Sequence, residues 1–175
     1  GEYVFGKKPA DFLAENYHYI PKGGKVLDVG MGEGRNAVYL ARKGYKVTGV
    51  DISSVAIRKA NTLANEYGVK IEAVTSSMQK FKADKESFDC IINFYYVDRK
   101  LNKKLVELLK PSGILIYESH TDNQRKVKGS EHYERRYLLR PGELLGLFPR
   151  LKILKYQEPL HEENFITSII LQKPE

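Results

Sequence analysis

The stretch "VLDVGMGEGRN", Val26 to Asn36, sets a carboxylate, Asp28, two residues ahead of three alternating glycines, Gly30, Gly32 and Gly34. Glycines that follow an apolar run and open a helix leave backbone N–H groups and a positive helix end around one concave spot, with no Cβ to keep a ligand away. A second carboxylate, Asp51, ends the next apolar run in "KVTGVDIS". There it can accept hydrogen bonds from the two vicinal hydroxyls of a ribose.

Loop and acid together imply a nucleoside ligand, and the spacing discriminates between kinds. A dinucleotide-binding turn wants G-x-G-x-x-G and no preceding acid. Here the position three beyond Gly32 is Arg35, the third glycine is Gly34, and Asp28 would place negative charge where a pyrophosphate must lie. A carboxylate at that point suits an ammonium or sulfonium group instead, and S-adenosylmethionine satisfies both ends of the pattern.

These side chains need a scaffold that brings loop ends together, and the alternation of short apolar runs with helical patterns supplies one. Lys25–Val29, Lys46–Val50, Lys70–Val74, Phe88–Asn93 and Gly113–Ser119 read as strands. Between them, helices are predicted from about Arg35 to Lys43, after an N-cap at Ser53 or Ser54, and along the Leu101, Leu105, Leu108 stripe. The polar stretch Thr121 to Arg136 leads to a short helix near Pro141–Phe148, and "LKILKYQ" and "FITSIIL" then follow as two strands with no helix between them. The expectation is an α/β fold: an open, doubly wound sheet with helices on both faces, five parallel strands and an antiparallel C-terminal hairpin.

"VLDVGMGEGRNAVYLARKGYKVTGVDIS" resembles the first two motifs of the class I S-adenosylmethionine-dependent methyltransferases. With "EYVFGKKPADFL", "YYVDR", "LKPSGILIYES" and "YLLRPGELLGLF", the chain is more narrowly similar to the small tellurite-resistance-type methyltransferases. The resemblance implies a Rossmann-like sheet of seven strands, mostly parallel with the last strand antiparallel, in a single domain spanning residues 1–175. It implies an N-terminal lid and helix over residues 1–20 and an acceptor-side loop over 121–140. It carries Asp28, Gly30, Gly32 and Gly34 to the methionine part of S-adenosyl-L-methionine and Asp51 to its ribose, with S-adenosyl-L-homocysteine as product. Many relatives hold the adenine amino group with an Asp after the third strand, whereas Ser77 and Met78 stand there in this chain; Ser77 offers one hydrogen bond, and Met78 and Ile52 can pack on the two ring faces. Asn93, Phe94 and Tyr95 end the fourth strand, where relatives line donor and acceptor, and aromatic rings there can enclose a sulfonium methyl.

Methyl transfer is an in-line displacement that a dry, preorganised cleft accelerates. An amine or hydroxyl acceptor must also lose a proton, and Tyr95, Glu118 and His120 are the catalytic candidates by topology. Tyr3 and Tyr96 are further pocket candidates. Arg99 either pairs locally or holds an anionic acceptor, and Arg125, Lys126, Lys128, Arg135 and Arg136 charge the loop. No metal ligand set is expected. The lone Cys90, inside "FDCIINF", reads as a buried strand residue, without a partner for a disulfide. The net charge of +7 is scattered rather than clustered, which does not favour nucleic acid as a partner. No apolar run reaches the length of about 18 residues that spans a bilayer, and the reading is a cytoplasmic protein with no membrane partner, a monomer or homodimer, acting on a small-molecule acceptor such as a chalcogen oxyanion or thiol. A protein (lysine) or RNA acceptor, a non-catalytic cofactor-binding regulator and an NAD-binding protein are the alternatives.

Overall fold

The computed structural model describes residues 1–159 and 163–175. Seven strands form one sheet: β1 (Lys25–Val29), β2 (Lys46–Asp51), β3 (Glu72–Thr75), β4 (Phe88–Phe94), β5 (Leu109–His120), β6 (Lys152–Gln157) and β7 (Ile166–Gln172). Their order across the sheet is β3-β2-β1-β4-β5-β7-β6. The first five are parallel, and β7 runs antiparallel to both its neighbours, β5 and β6. β1 lies between β2 and β4, so the strand order reverses there, and in such sheets the carboxyl ends beside the reversal open the ligand crevice.

The period-two alternation of the strands divides the core into two layers. Val26, Cys90, Ile92 and Ile116 pack beneath α1 (Asp11–Asn16), α2 (Arg35–Arg42) and α3 (Ser54–Glu66) through Leu13, Leu40 and Ala60. Leu27, Val29, Ile91 and Leu115 face the opposite way, towards Leu105 and Leu108 of α4 (Asn102–Leu108) and Leu144 of α5 (Leu144–Leu147). The Leu101, Leu105, Leu108 stripe is buried as its spacing predicts. Ser53 caps α3, its hydroxyl accepting from the Ala56 N–H at 3.2 Å.

Two strand boundaries differ from the sequence reading by two residues or more. β3 begins two residues late, at Glu72. β5 starts at Leu109 instead of Gly113, because a register shift between Phe88 and Cys90 lets Leu109 pair with Phe88 across the Pro111-Ser112-Gly113 break. The crossover from β3 to β4 carries no α-helix. Met78 and Phe81 are buried within it, and the Lys104 ammonium holds its backbone, donating to the carbonyls of Met78 (2.6 Å), Gln79 (3.4 Å) and Phe81. Among the described residues, no helix is long and apolar enough to cross a membrane.

Candidate functional site

The glycine loop leaves β1 and is fastened at once to β2. The Met31 N–H donates to the Val50 carbonyl at 2.9 Å, and the Gly32 N–H to Asp51 Oδ2 at 2.8 Å. Asp51 Oδ1 accepts from the Ser53 N–H at 2.9 Å. Each carboxylate oxygen thus spends one lone pair on the backbone and keeps another for a ligand. Asp51 therefore shapes the loop as well as facing the cleft, a structural duty that its spacing alone did not reveal.

The three glycines differ in what surrounds them. Gly32, at φ +60°, has open space where a Cβ would stand, whereas a Cβ on Gly30 would strike the Tyr96 ring at 2.8 Å. Gly34, at φ +91°, would put a Cβ 2.8 Å from that of Ala60, so its missing side chain lets α3 close onto the loop.

Asp28 lies at the floor of a cleft of about 260 Å³, shared with Gly30, Gly32, Asp51, Phe94, Tyr95 and Tyr96. It is 2% exposed, and its Oδ2 has no hydrogen-bond partner among the described residues. Burial pushes its carboxyl up from 3.8 to about 8, opposed by the Arg35 guanidinium and reinforced by Asp51. A desolvated carboxyl with an unused acceptor fits a ligand ammonium. Arg35, whose significance the sequence reading missed, also lines this cleft, and nothing in its spacing marked it.

A second hollow, of about 240 Å³, adjoins the first at Gly30, Asp51 and Tyr96. Ser77, Met78, Gln79 and Ile52 line it; Ile52 is 76% exposed, an apolar side chain held open at the rim. The Ser77 hydroxyl accepts from the Lys80 N–H at 3.2 Å. The two hollows meet at Gly30, Asp51 and Tyr96, with the carboxylates of Asp28 and Asp51 lining the first and the apolar side chains of Ile52 and Met78 lining the second.

Tyr95 follows β4 at φ +64° and is tied to β5 twice: its N–H donates to the Glu118 carbonyl at 2.8 Å and its hydroxyl to Glu118 Oε2 at 2.8 Å. Ser168 of β7 donates to Glu118 Oε1 at 2.6 Å. Burial raises the Glu118 carboxyl despite these two donors, and burial raises the Tyr95 phenol, with Glu118 beside it adding to the effect. His120 packs edge-tilted on Tyr95 at 4.9 Å and stacks near Tyr133 at 6.0 Å; burial lowers its pKa, outweighing its contacts with Phe165 and Gln124. Ser168 was missed in the sequence, although a Thr-Ser pair inside an apolar strand was a visible anomaly.

Asn93 is buried at the end of β4 with Oδ1 unpartnered among the described residues, and is not part of the cleft lining that includes Phe94. Tyr3 does not join Tyr95 and Tyr96 in the cleft: it packs against Leu63 and Val38 and donates to the Lys59 carbonyl at 3.2 Å. That contact helps fasten residues 2–7 across the loop. Glu33 takes the Val4 N–H at 2.7 Å and the Lys59 ammonium at 2.6 Å, leaving Phe5 at the mouth of the cleft. Arg99 forks onto Glu143 at 2.6 and 2.8 Å and reaches the Leu138 carbonyl at 2.9 Å, a local brace. In the 121–140 loop, Arg136 pairs with Glu134 at 2.7 Å and Arg135 approaches Asp122 at 3.9 Å, two largely exposed contacts. Cys90 is buried and free. Among the described residues no cluster of His, Cys, Asp and Glu could hold a metal ion.

Residues 26–113, about half of the chain, match the family described as a methyltransferase domain. The chain belongs to that family. This methyltransferase domain is 33% identical over 120 residues to the ubiquinone biosynthesis O-methyltransferase of Rickettsia canadensis (strain McKiel), covering 66% of the chain and 48% of the relative. The chain spans about half the length of the curated relatives it matches. In fold it is similar to a SAM-dependent methyltransferase from Methanosarcina mazei, at TM-score 0.76 and 23% identity over 95% of this chain and 99% of that one. TehB from Haemophilus influenzae is similar at TM-score 0.75 and 20% identity, over 94% and 62% of the two chains. Both likenesses concern the class I fold.

Proposed function

We propose that this methyltransferase domain binds S-adenosylmethionine in the groove along β1 and β2 and transfers its methyl group to a small molecule, releasing S-adenosylhomocysteine. The observation that carries the reading is the buried Oδ2 of Asp28, unpartnered among the described residues, an acceptor that a ligand ammonium satisfies and a pyrophosphate does not. Asp51 uses its remaining lone pairs on the ribose hydroxyls, and Ile52 and Met78 flank the base with Ser77 at its edge. The backbone around Gly30 and Gly32 meets the methionine part, with Gly34 setting the helix behind it and Asn93 supporting the end of β4. Phe94 and Tyr95 face the methyl group, and within residues 1–20 the segment before α1 forms the lid while α1 packs on the sheet behind it.

The bound donor supplies a methyl carbon on sulfur. The chain's own part is to orient it, exclude water and take a proton where the acceptor has one to lose, for which Glu118, wired to Tyr95, is better placed than His120. Membership of the family supports methyl transfer, and the name of the Rickettsia relative, a ubiquinone biosynthesis O-methyltransferase, supports a small-molecule acceptor. The choice among oxyanion, thiol, hydroxyl and amine falls to the lining beyond Tyr95. Calorimetry tests the donor directly: S-adenosylhomocysteine binds and NAD does not. Binding of NAD alone would overturn the assignment.

A further inference from the structure

Across Tyr95 and Arg35 from the donor cleft lies a larger, open hollow of about 470 Å³, lined by α1, the end of β5, the end of β6 at Gln157, Pro159, Asn164 and the start of β7. The two spaces share those two side chains, so whatever fills the larger one abuts the groove where the methyl group would point. Its walls carry Asp11, Glu15 and Glu118, with Phe12 and Ile166 as apolar surface. Asp11 and Glu15 stand one turn apart on the same face of α1, and neither forms an ion pair among the described residues. Glu118, 5% exposed, is held by the hydroxyls of Ser168 and Tyr95 and retains one free lone pair on each oxygen.

Arg35 is the one basic side chain among the described lining residues. Lys155, beside α1, donates to Asn16 Oδ1 at 2.9 Å and lies over the Phe12 ring at 6.0 Å. On a chain of net charge +7, this cavity is a local reversal of sign. An oxyanion entering it would meet three carboxyl groups against one guanidinium. An ammonium would be drawn in, by an attraction that solvent at the exposed Asp11 and Glu15 partly screens.

We propose that this cavity is the acceptor site and that it selects a small amine-bearing molecule, its ammonium on Asp11 and Glu15 and its methyl-accepting end against Tyr95. The proposal rests on the methyl-donor reading of the adjoining cleft, and it turns away from the chalcogen oxyanions that the resemblance suggested.

Tyramine and 4-hydroxyphenylacetate share a ring and a phenol and carry opposite charges, which makes them a matched pair of probes. Their affinities for the protein saturated with S-adenosylhomocysteine are measured by calorimetry or NMR titration. Tyramine binds at least about tenfold more tightly, the scale expected for two carboxylates at a partly screened site. The double variant Asp11→Asn, Glu15→Gln, on the exposed face of α1, retains the fold and loses the preference. Equal affinities, tighter binding of 4-hydroxyphenylacetate, no binding of tyramine, or a preference that survives the double variant would each overturn the proposal. S-adenosylhomocysteine is titrated first: its failure to bind sinks the donor reading, whereas a bound donor beside a charge-blind cavity sinks this inference alone.

Discussion

Replacing Asp28 with Asn keeps the shape of the side chain and removes its charge, and the structure requires two effects of opposite sign. The buried carboxyl titrates at about 8 in the folded chain against 3.8 when solvated. Because the folded-state value is raised, stability is fully present below 3.8 and is lost as pH rises through 8. At pH 7 the loss spans some three pH units, about 4 kcal/mol at 1.36 kcal/mol per unit, and Asn recovers about 1 to 3 of it because its own amide must also be desolvated. The Asp28→Asn variant is therefore more stable than the parent in urea at pH 8, and its midpoint varies less between pH 5 and 8. Its affinity for S-adenosylhomocysteine falls by about 2–4 kcal/mol, roughly 30- to 1000-fold, since the amide cannot pair with the ligand ammonium. Urea titration and calorimetry on the same preparations read both. A variant no more stable than the parent, or one that binds as well, refutes the picture of a carboxylate kept for a ligand at the fold's expense.

The glycines separate by the same pair of assays. Gly34→Val drives a side chain into Ala60 at a positive φ and costs more than about 3 kcal/mol of stability, whereas Gly32→Ala meets open space, costs about 1 kcal/mol for its backbone angle and weakens donor binding instead. Lys104→Met frees the carbonyls of Met78, Gln79 and Phe81; affinity for S-adenosylhomocysteine drops about tenfold while affinity for methionine alone is unchanged, as titrations of both ligands would reveal.

The groove proposed for the donor is built locally. Asp28, the glycines and Asp51 lie within 24 residues, on two adjacent strands whose apolar runs announce them. The parallel sheet followed from the alternation of elements. What sequence spacing could not supply is which way a loop residue faces: Gly34 belongs to the same alternating set as Gly32 and yet meets Ala60, and Tyr3 meets α3. The acceptor side was illegible for a further reason. Its walls come from α1, β5 and β7, and the contacts that define it, such as Ser168 with Glu118, join residues 50 apart. No local pattern encodes an encounter of that range, and an exposed Asp-x-x-x-Glu on a short helix looks like any solvated face.

The reversed strand β7 gives the site an order of assembly. Chains emerge from the ribosome amino end first, and β1, β2 and the loop between them can pair as soon as they are out. Glu118 emerges well before Ser168, and until β7 inserts between β5 and β6 it is a carboxyl on a sheet edge with one of its two hydroxyl donors missing. A nascent or truncated chain that stops short of Ile166 can therefore hold the elements for gripping the nucleoside while lacking a wall of the cavity beside it. On the proposed function, such a chain would carry the donor-side carboxylates and glycines without the Ser168 hydroxyl on Glu118.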